Sequence, residues 1–188
     1  NPYLAFRKYL AVDSFGAAIG LSEDERIRII TEANAAVAAV AGTGFLRTPL
    51  YRSSELSDAL RFTAEGGVWI KDETHNVAGS HKARHLFTEP LHLLFTEAAG
   101  VAPWTPSTRP PLAIASCGNA AIAASTLAAA VQWPIYVHVP PAATTEVLTA
   151  LTELDADVRV CARLPEDEAG DPCVLRFQEH VARGSLPF

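Results

Sequence analysis

The sequence predicts an α/β fold: a parallel β-sheet with flanking helices. Short apolar segments at Leu112–Ala115, Ile135–Val139 and Asp157–Cys161 read as strands. The stretches between them, Asn119–Val131 and Thr145–Leu154, are rich in helix formers. Strands alternating with helices imply right-handed crossovers and hence parallel strands.

The other elements follow in order. Residues 22–41 form a helix: Ser22 is an N-cap, Glu25 completes a capping box, and Gly42 is a stop. Ile27, Ile30, Ala33, Val37 and Val40 supply its apolar face. Thr48-Pro49-Leu50-Tyr51 is extended, because proline disfavours helix in the residue before it. Ser54 caps a short helix, Glu55 to Leu60. Gly66-Gly67 is a turn before a strand, Val68–Asp72. Val77-Ala78-Gly79 is a loop, and Ser80 caps a helix from His81 that Pro90 kinks or restarts. Leu91 to Ala99 continues that helix. Residues 101–111 are proline-rich and loop over the surface. Asp171 to Arg183 is the last helix, ended by Gly184.

Composition narrows the function classes. The chain has 188 residues, 49% hydrophobic and 19% charged, with a net charge of −6. It is too apolar to be disordered and too acidic for a nucleic-acid footprint. No apolar run approaches the ~18–20 residues of a membrane span. Three cysteines without a CxxC pair argue against a disulfide framework or thiolate metal site, and favour a reduced, cytoplasmic setting. Methionine is absent, so residues are expected to precede Asn1. Only Lys8, Lys71 and Lys82 are lysines, against 12 arginines.

Two segments stand out chemically. In Asn76-Val77-Ala78-Gly79-Ser80-His81-Lys82-Ala83-Arg84, a strand feeds a glycine loop and a helix start that carries a lysine. A lysine there is unfavourable by roughly 0.3–1 kcal/mol if exposed; if buried, it is driven towards a neutral, nucleophilic amine. The bland alternative is a solvated surface lysine. In Ser116-Cys117-Gly118-Asn119-Ala120, a strand's carboxyl end opens a helix. Ligands bind there in open α/β sheets, and free N–H groups suit a carboxylate. Alternatively it is a plain turn with Asn119 as helix cap. His81, His85 and Glu89 are spaced for one helix face, but without a ligand from a second element no metal is expected. His75, His92, His138 and His180 read as packed or solvated. GxGxxG, GxxxxGK[ST] and GxSxG are absent.

In order and spacing, these segments resemble the fold-type II family of pyridoxal-phosphate enzymes, which includes threonine synthase, serine and threonine dehydratases, cysteine synthase and the tryptophan synthase β chain. The resemblance covers roughly residues 45–162. It rests on Thr48-Pro49-Leu50, on Ile70-Lys71-Asp72-Glu73 with Asn76 and the Gly79–Arg84 segment, and on Ser116-Cys117-Gly118-Asn119. The strand Tyr136–Val139 followed by Leu154-Asp155-Ala156-Asp157-Val158 completes it. It implies pyridoxal 5'-phosphate as cofactor, held by Lys82 as an internal aldimine, with Asn119 on the ring hydroxyl oxygen. Ser116, Cys117, Gly118, Asn119 and Ala120 would hold the substrate carboxylate. Lys71 would be structural. His81 and His85 depart from the commoner pattern, and Ser-His-Lys is more like D-serine dehydratase and tryptophan synthase. Cys117 replaces a usual Ser, Thr or Ala and reads as a small packed side chain.

The resemblance further implies a lyase acting on threonine or serine. The alternatives are a threonine or cysteine synthase-type enzyme and a non-catalytic relative; outside the family, a metal-dependent hydrolase using His81 and His85 is the rival. The expected parts are 1–82 in a larger domain, 83–163 as a smaller α/β domain, and 164–188 starting a return to the larger one. The family's phosphate loop and ring-nitrogen partner are not found by Phe188, so a carboxyl-terminal portion of the large domain is expected beyond it. A small amino-acid substrate and a homodimer are expected, with no nucleic-acid or membrane partner.

Overall fold

The computed structural model describes residues 1–63, 65–165, 167 and 169–188. Four parallel strands form its central sheet: β3 (Leu112–Ala115), β4 (Ile135–Val139), β5 (Asp157–Val160) and β6 (Leu186–Pro187), in the order β5-β4-β3-β6. β1 (Leu50–Ser53) and β2 (Val68–Lys71) make a separate antiparallel pair, with Tyr51 opposite Ile70. Asp72 and Cys161, expected as strand ends, lie just outside their strands.

β3 and β4 are almost wholly buried, as befits a parallel sheet covered on both faces. Helix α7 (Asn119–Ala130) packs on both strands, as does α9 (Pro172–Ala182). The connection from β5 to β6 reverses the direction taken by β3-β4-β5. Right-handed crossovers therefore put α9 on the face opposite α7. The 164–188 segment, read from sequence as starting a return to the larger domain, supplies α9 and β6 to this same sheet.

α7 is alanine-rich because it is enclosed nearly all round. It meets α3 (Glu23–Ala41), α5 (Lys82–Leu86), α8 (Thr145–Glu153) and the sheet. Small side chains allow these close approaches at little entropic cost. α3 has its capping box at Ser22 and Glu25, and ends at Gly42 in the left-handed region. Its buried stripe is Arg26, Ile29, Ile30, Ala33 and Val37; the expected Ile27 and Val40 are exposed. The stripe is displaced because Arg26 turns inward to meet Asp13. α4 (Ser54–Ala59) is capped by Ser53 rather than Ser54.

Residues 1–21, for which the pattern assigned no element, form α1 (Pro2–Ala5), a 3-10 turn (Arg7–Tyr9) and α2 (Ala11–Ala18). α1 does carry a start signal, an Asn1 cap followed by proline. α2 lies tightly on α6 (Thr88–Ala98). A Cβ at Gly16 would sit 2.6 Å from Phe95 Cδ2 and 2.7 Å from Arg26 Cδ. Gly16→Ala should gain about 1 kcal/mol of helix propensity. It should lose about 1–3 kcal/mol to overpacking, and so melt at a lower temperature. A raised melting temperature would show that Phe95 yields without strain.

α5 and α6 are separated at Phe87, three residues before Pro90. Proline has no N–H for the Leu86 carbonyl, and its ring crowds that oxygen, so the helix parts there. Arg109 donates to both Glu97 carboxylate oxygens (2.8 and 2.6 Å) and lies over Trp133 at 4.4 Å. These contacts tie down the proline-rich 101–111 loop.

His138 in β4 is fully buried. Its Nδ1 donates to the Ile114 carbonyl at 3.3 Å, while Nε2 has no partner among the described residues. Burial, aided by neighbouring His180 and Arg159, pushes its pKa below the usual histidine value. The unfolded chain therefore takes up a proton first as pH falls, and stability should decline from about pH 6.5 downward. Urea melts of His138→Gln should show a flatter acid limb than the parent; parallel limbs would remove His138 from this account.

Candidate active site

Lys82 opens α5, three residues after a loop of unusual backbone. Ala78 (φ 55°) and Gly79 (φ 63°) are both left-handed, which costs a non-glycine residue such as Ala78 roughly 1–2 kcal/mol. The loop is held by Asn76, whose Nδ2 donates to the Ser80 carbonyl at 2.9 Å, while its Oδ1 is buried without a partner. Ser80 Oγ accepts from the Lys82 N–H at 3.3 Å; the helix begins at Lys82 rather than His81.

The three lysines differ in surroundings. Lys8 is exposed. Lys71 Nζ donates to the Thr48 carbonyl at 2.7 Å and lies 3.7 Å from Glu73. Lys82 is half-buried, and among the described residues its amine has no hydrogen-bond or ion-pair partner.

A polar network joins the segments that precede the loop. Glu73 accepts from Thr48 Oγ1 at 2.5 Å and from Arg84 Nε at 2.8 Å. Burial works to raise the Glu73 pKa, but the bonds from Thr48 and Arg84 outweigh it and hold the carboxyl below its ordinary range. Sequence reasoning noted Thr48, Glu73 and Arg84 only as members of separate motifs. The spacing of an acid and a base across the loop was the available signal.

The loop 116–120 leaves the carboxyl end of β3. β6 pairs with Leu112 and Ala113 at the amino end of β3, so the strand order reverses beside β3, and the carboxyl ends of strands at such a switch point are where open α/β sheets bind ligands. Ser116 is partly buried, and its N–H donates to the His138 carbonyl at 3.1 Å. The N-cap of α7 is Gly118, not Asn119. Asn119 is therefore spared from capping; its side chain is exposed and makes no hydrogen bond among the described residues. Gly118 and Ala120 are partly buried, and a Cβ at Gly118 would meet nothing within 4 Å. Cys117, expected to be packed, is exposed, because the loop projects from the sheet end rather than lying beneath it. α5 and the 77–79 turn both pack against α7, which brings the lysine segment to the helix that the 116–120 loop begins.

His81 and His85 are exposed while Glu89 is partly buried and lines another cavity, and no metal-binding group of three appears among the described residues. Burial raises the Glu89 pKa, with His85 opposing. Glu89 shares that cavity, of about 800 Å³, with Tyr9, Phe15, His92, Trp104 and Phe188. Among the described residues no helix is long and apolar enough to cross a membrane.

Comparison with known proteins places this geometry. The model of the family described as "Pyridoxal-phosphate dependent enzyme" matches residues 41–182. No curated protein sequence matches. Among solved structures, a pyridoxal 5'-phosphate-dependent aspartate racemase is similar, with a TM-score of 0.60 and 21% identity, over 85% of this chain and 44% of that one. Diaminopropionate ammonia lyase from Escherichia coli aligns with a TM-score of 0.59 and 17% identity, over 84% of this chain and 41% of that one. Threonine deaminase isoform 2 from Solanum lycopersicum aligns with a TM-score of 0.55 and 17% identity, over 90% of this chain and 43% of that one. At these identities the likeness is one of fold. The chain spans 41–44% of the length of these structures. With the family's model covering most of the residues that carry the loop, the lysine and the parallel sheet, the chain belongs to the pyridoxal-phosphate dependent enzyme family.

Proposed function

We propose that the chain carries the lysine half of a pyridoxal-phosphate lyase acting on a hydroxy-amino acid, threonine or serine. One observation supports this most: of three lysines, only Lys82 combines partial burial, a helix start and an amine without a partner. The residues fit the carbonyl and ring-hydroxyl side of the cofactor. Lys82 Nζ would bond its aldehyde carbon, and the Asn119 amide would donate to its ring hydroxyl oxygen. When bound, the cofactor supplies an electron sink for charge developing at the substrate α-carbon.

The remaining steps belong to the chain. N–H groups of residues 117–120, at the positive end of α7, would hold the substrate carboxylate, with the Ser116 hydroxyl beside them. The freed Lys82 amine would take the α-proton as general base, and the departing β-hydroxyl would leave as water. The Cys117 thiol, exposed in the same loop, would stand beside that carboxylate. A homodimer in a reduced, cytoplasmic compartment and a two-part domain arrangement divided near residue 82, with 164–188 kept with the sheet it joins, belong to the same proposal.

The direct assay is release of ammonia and a 2-oxo acid from threonine or serine by cofactor-supplemented protein. Product from either substrate supports the lyase. A requirement for a phosphorylated homoserine or a sulfide donor would replace it with a synthase. No new near-visible absorbance on adding cofactor would point to a non-catalytic relative.

A further inference from the structure

We infer that Tyr3 and Glu73 are positioning residues that grip Arg84 at its two ends and thereby set the direction of Lys82. The inference rests on the assignment of Lys82 made above, and it concerns a residue, Tyr3, that lies far upstream of every motif carrying the family resemblance.

α5 cannot hold its own geometry. It has five residues, no side-chain cap at His81, and an interruption at Phe87. Isolated helices of this length are not stable, so neighbouring segments must fix its rotation. Successive helical residues point about 100° apart, so a small rotation of α5 would redirect Lys82.

Arg84 is where those neighbours attach. Its carbonyl oxygen accepts from Tyr3 Oη at 2.5 Å. Its guanidinium donates to Glu73 Oε2 at 2.8 Å, to the Leu46 carbonyl at 2.6 Å and to Thr48 Oγ1 at 3.3 Å. Glu73 is braced in turn by the Thr48 hydroxyl on its other oxygen. Three segments distant in sequence thus meet on one residue of a one-turn helix.

Tyr3 is built as a strut. Its ring is buried and meets Phe45 and Phe87 edge-on, at centroid distances of 5.0 and 4.7 Å. Burial pushes the phenol pKa upward, with Arg84 opposing, so the hydroxyl stays a donor across the working range. Neither Tyr3 nor Glu73 needs to touch a ligand for this role.

The test uses the whole chain, pyridoxal 5'-phosphate and borohydride. Peptide mass spectrometry then measures how the fixed label divides between Lys82 and exposed Lys8. Tyr3→Phe removes only the hydroxyl and keeps the ring. Loss of one hydrogen bond, worth about 1 kcal/mol, should lower the ratio of Lys82 label to Lys8 label about fivefold. Glu73→Ala should lower it further, and Glu73→Gln, whose amide oxygen still accepts from Arg84, should recover part of the loss. Amide exchange over residues 82–86 should accelerate in step. Glu97→Ala, which breaks the Arg109 pair, controls for stability: it should lower the melting temperature and leave the Lys82 share unchanged. An unchanged share in Tyr3→Phe and Glu73→Ala, despite lowered melting temperatures, would reduce both residues to structural ones and overturn the inference. A parent chain with no Lys82 preference would instead overturn the assignment of Lys82, and the inference with it.

Discussion

Lys82→Ala should remove most of the covalent capture of the cofactor and leave only the label carried by exposed Lys8, while Lys8→Ala and Lys71→Arg retain the Lys82 capture. The scarcity of lysine makes the outcome sharp, because only three side chains can form the bond. Lys8 is exposed on a 3-10 turn, and the Lys71 amine is committed to the Thr48 carbonyl. Lys71→Arg is the appropriate control, since it preserves a donor at that contact. Where turnover is measurable, loss of a general base costs about 10²–10⁴-fold, and loss of the cofactor anchor adds to it. The measurement is intact mass after borohydride reduction, together with the rate of 2-oxo acid formation. A mass gain in Lys82→Ala as large as in the parent would move the chemistry to another residue.

Asp13→Ala should be the most damaging single change to stability among those considered. The Asp13 carboxylate accepts from Arg7 Nη1 on both oxygens, at 2.8 and 2.9 Å, and from Arg26 Nε at 3.0 Å. All three residues are buried. Arg7 also pairs with Glu23, and Arg26 Nη1 donates to the Leu21 carbonyl at 2.5 Å. Removing Asp13 leaves two guanidiniums facing each other without their shared anion. Breaking a buried pair in this way costs about 3–5 kcal/mol, a large part of a typical domain stability of about 5–15 kcal/mol. Urea unfolding should show the midpoint falling accordingly. A loss below about 1 kcal/mol, the range of surface pairs, would mean that water reaches the cluster.

That cluster also marks where sequence reading ended. The capping box at Ser22 and Glu25, the Gly42 stop and β4 were legible because each depends on a few adjacent residues. So was the order of the lysine and asparagine segments. The inward turn of Arg26 was not legible, since an arginine on a helix is ordinarily a solvent-facing residue and only Asp13, on another helix, makes its burial tolerable. Cys117 shows the same limit: its type favours packing, yet its place at the end of β3 exposes it. Asn119 was weighed as a cap or a ligand group, and the backbone at Gly118 takes the capping position.

By itself, the sequence determined the alternation of strands and helices from β3 to β5 and both ends of α3. The tertiary structure alone decided that β6 joins the sheet beside β3, so that the 116–120 loop stands at a reversal of strand order. It alone brought Tyr3 to Arg84 across 81 residues and Glu73 to the same side chain. The division has a physical cause. Caps, turns and periodicity act over one or two helical turns. Partners far apart in the chain are selected only when burial makes an unpaired polar group costly.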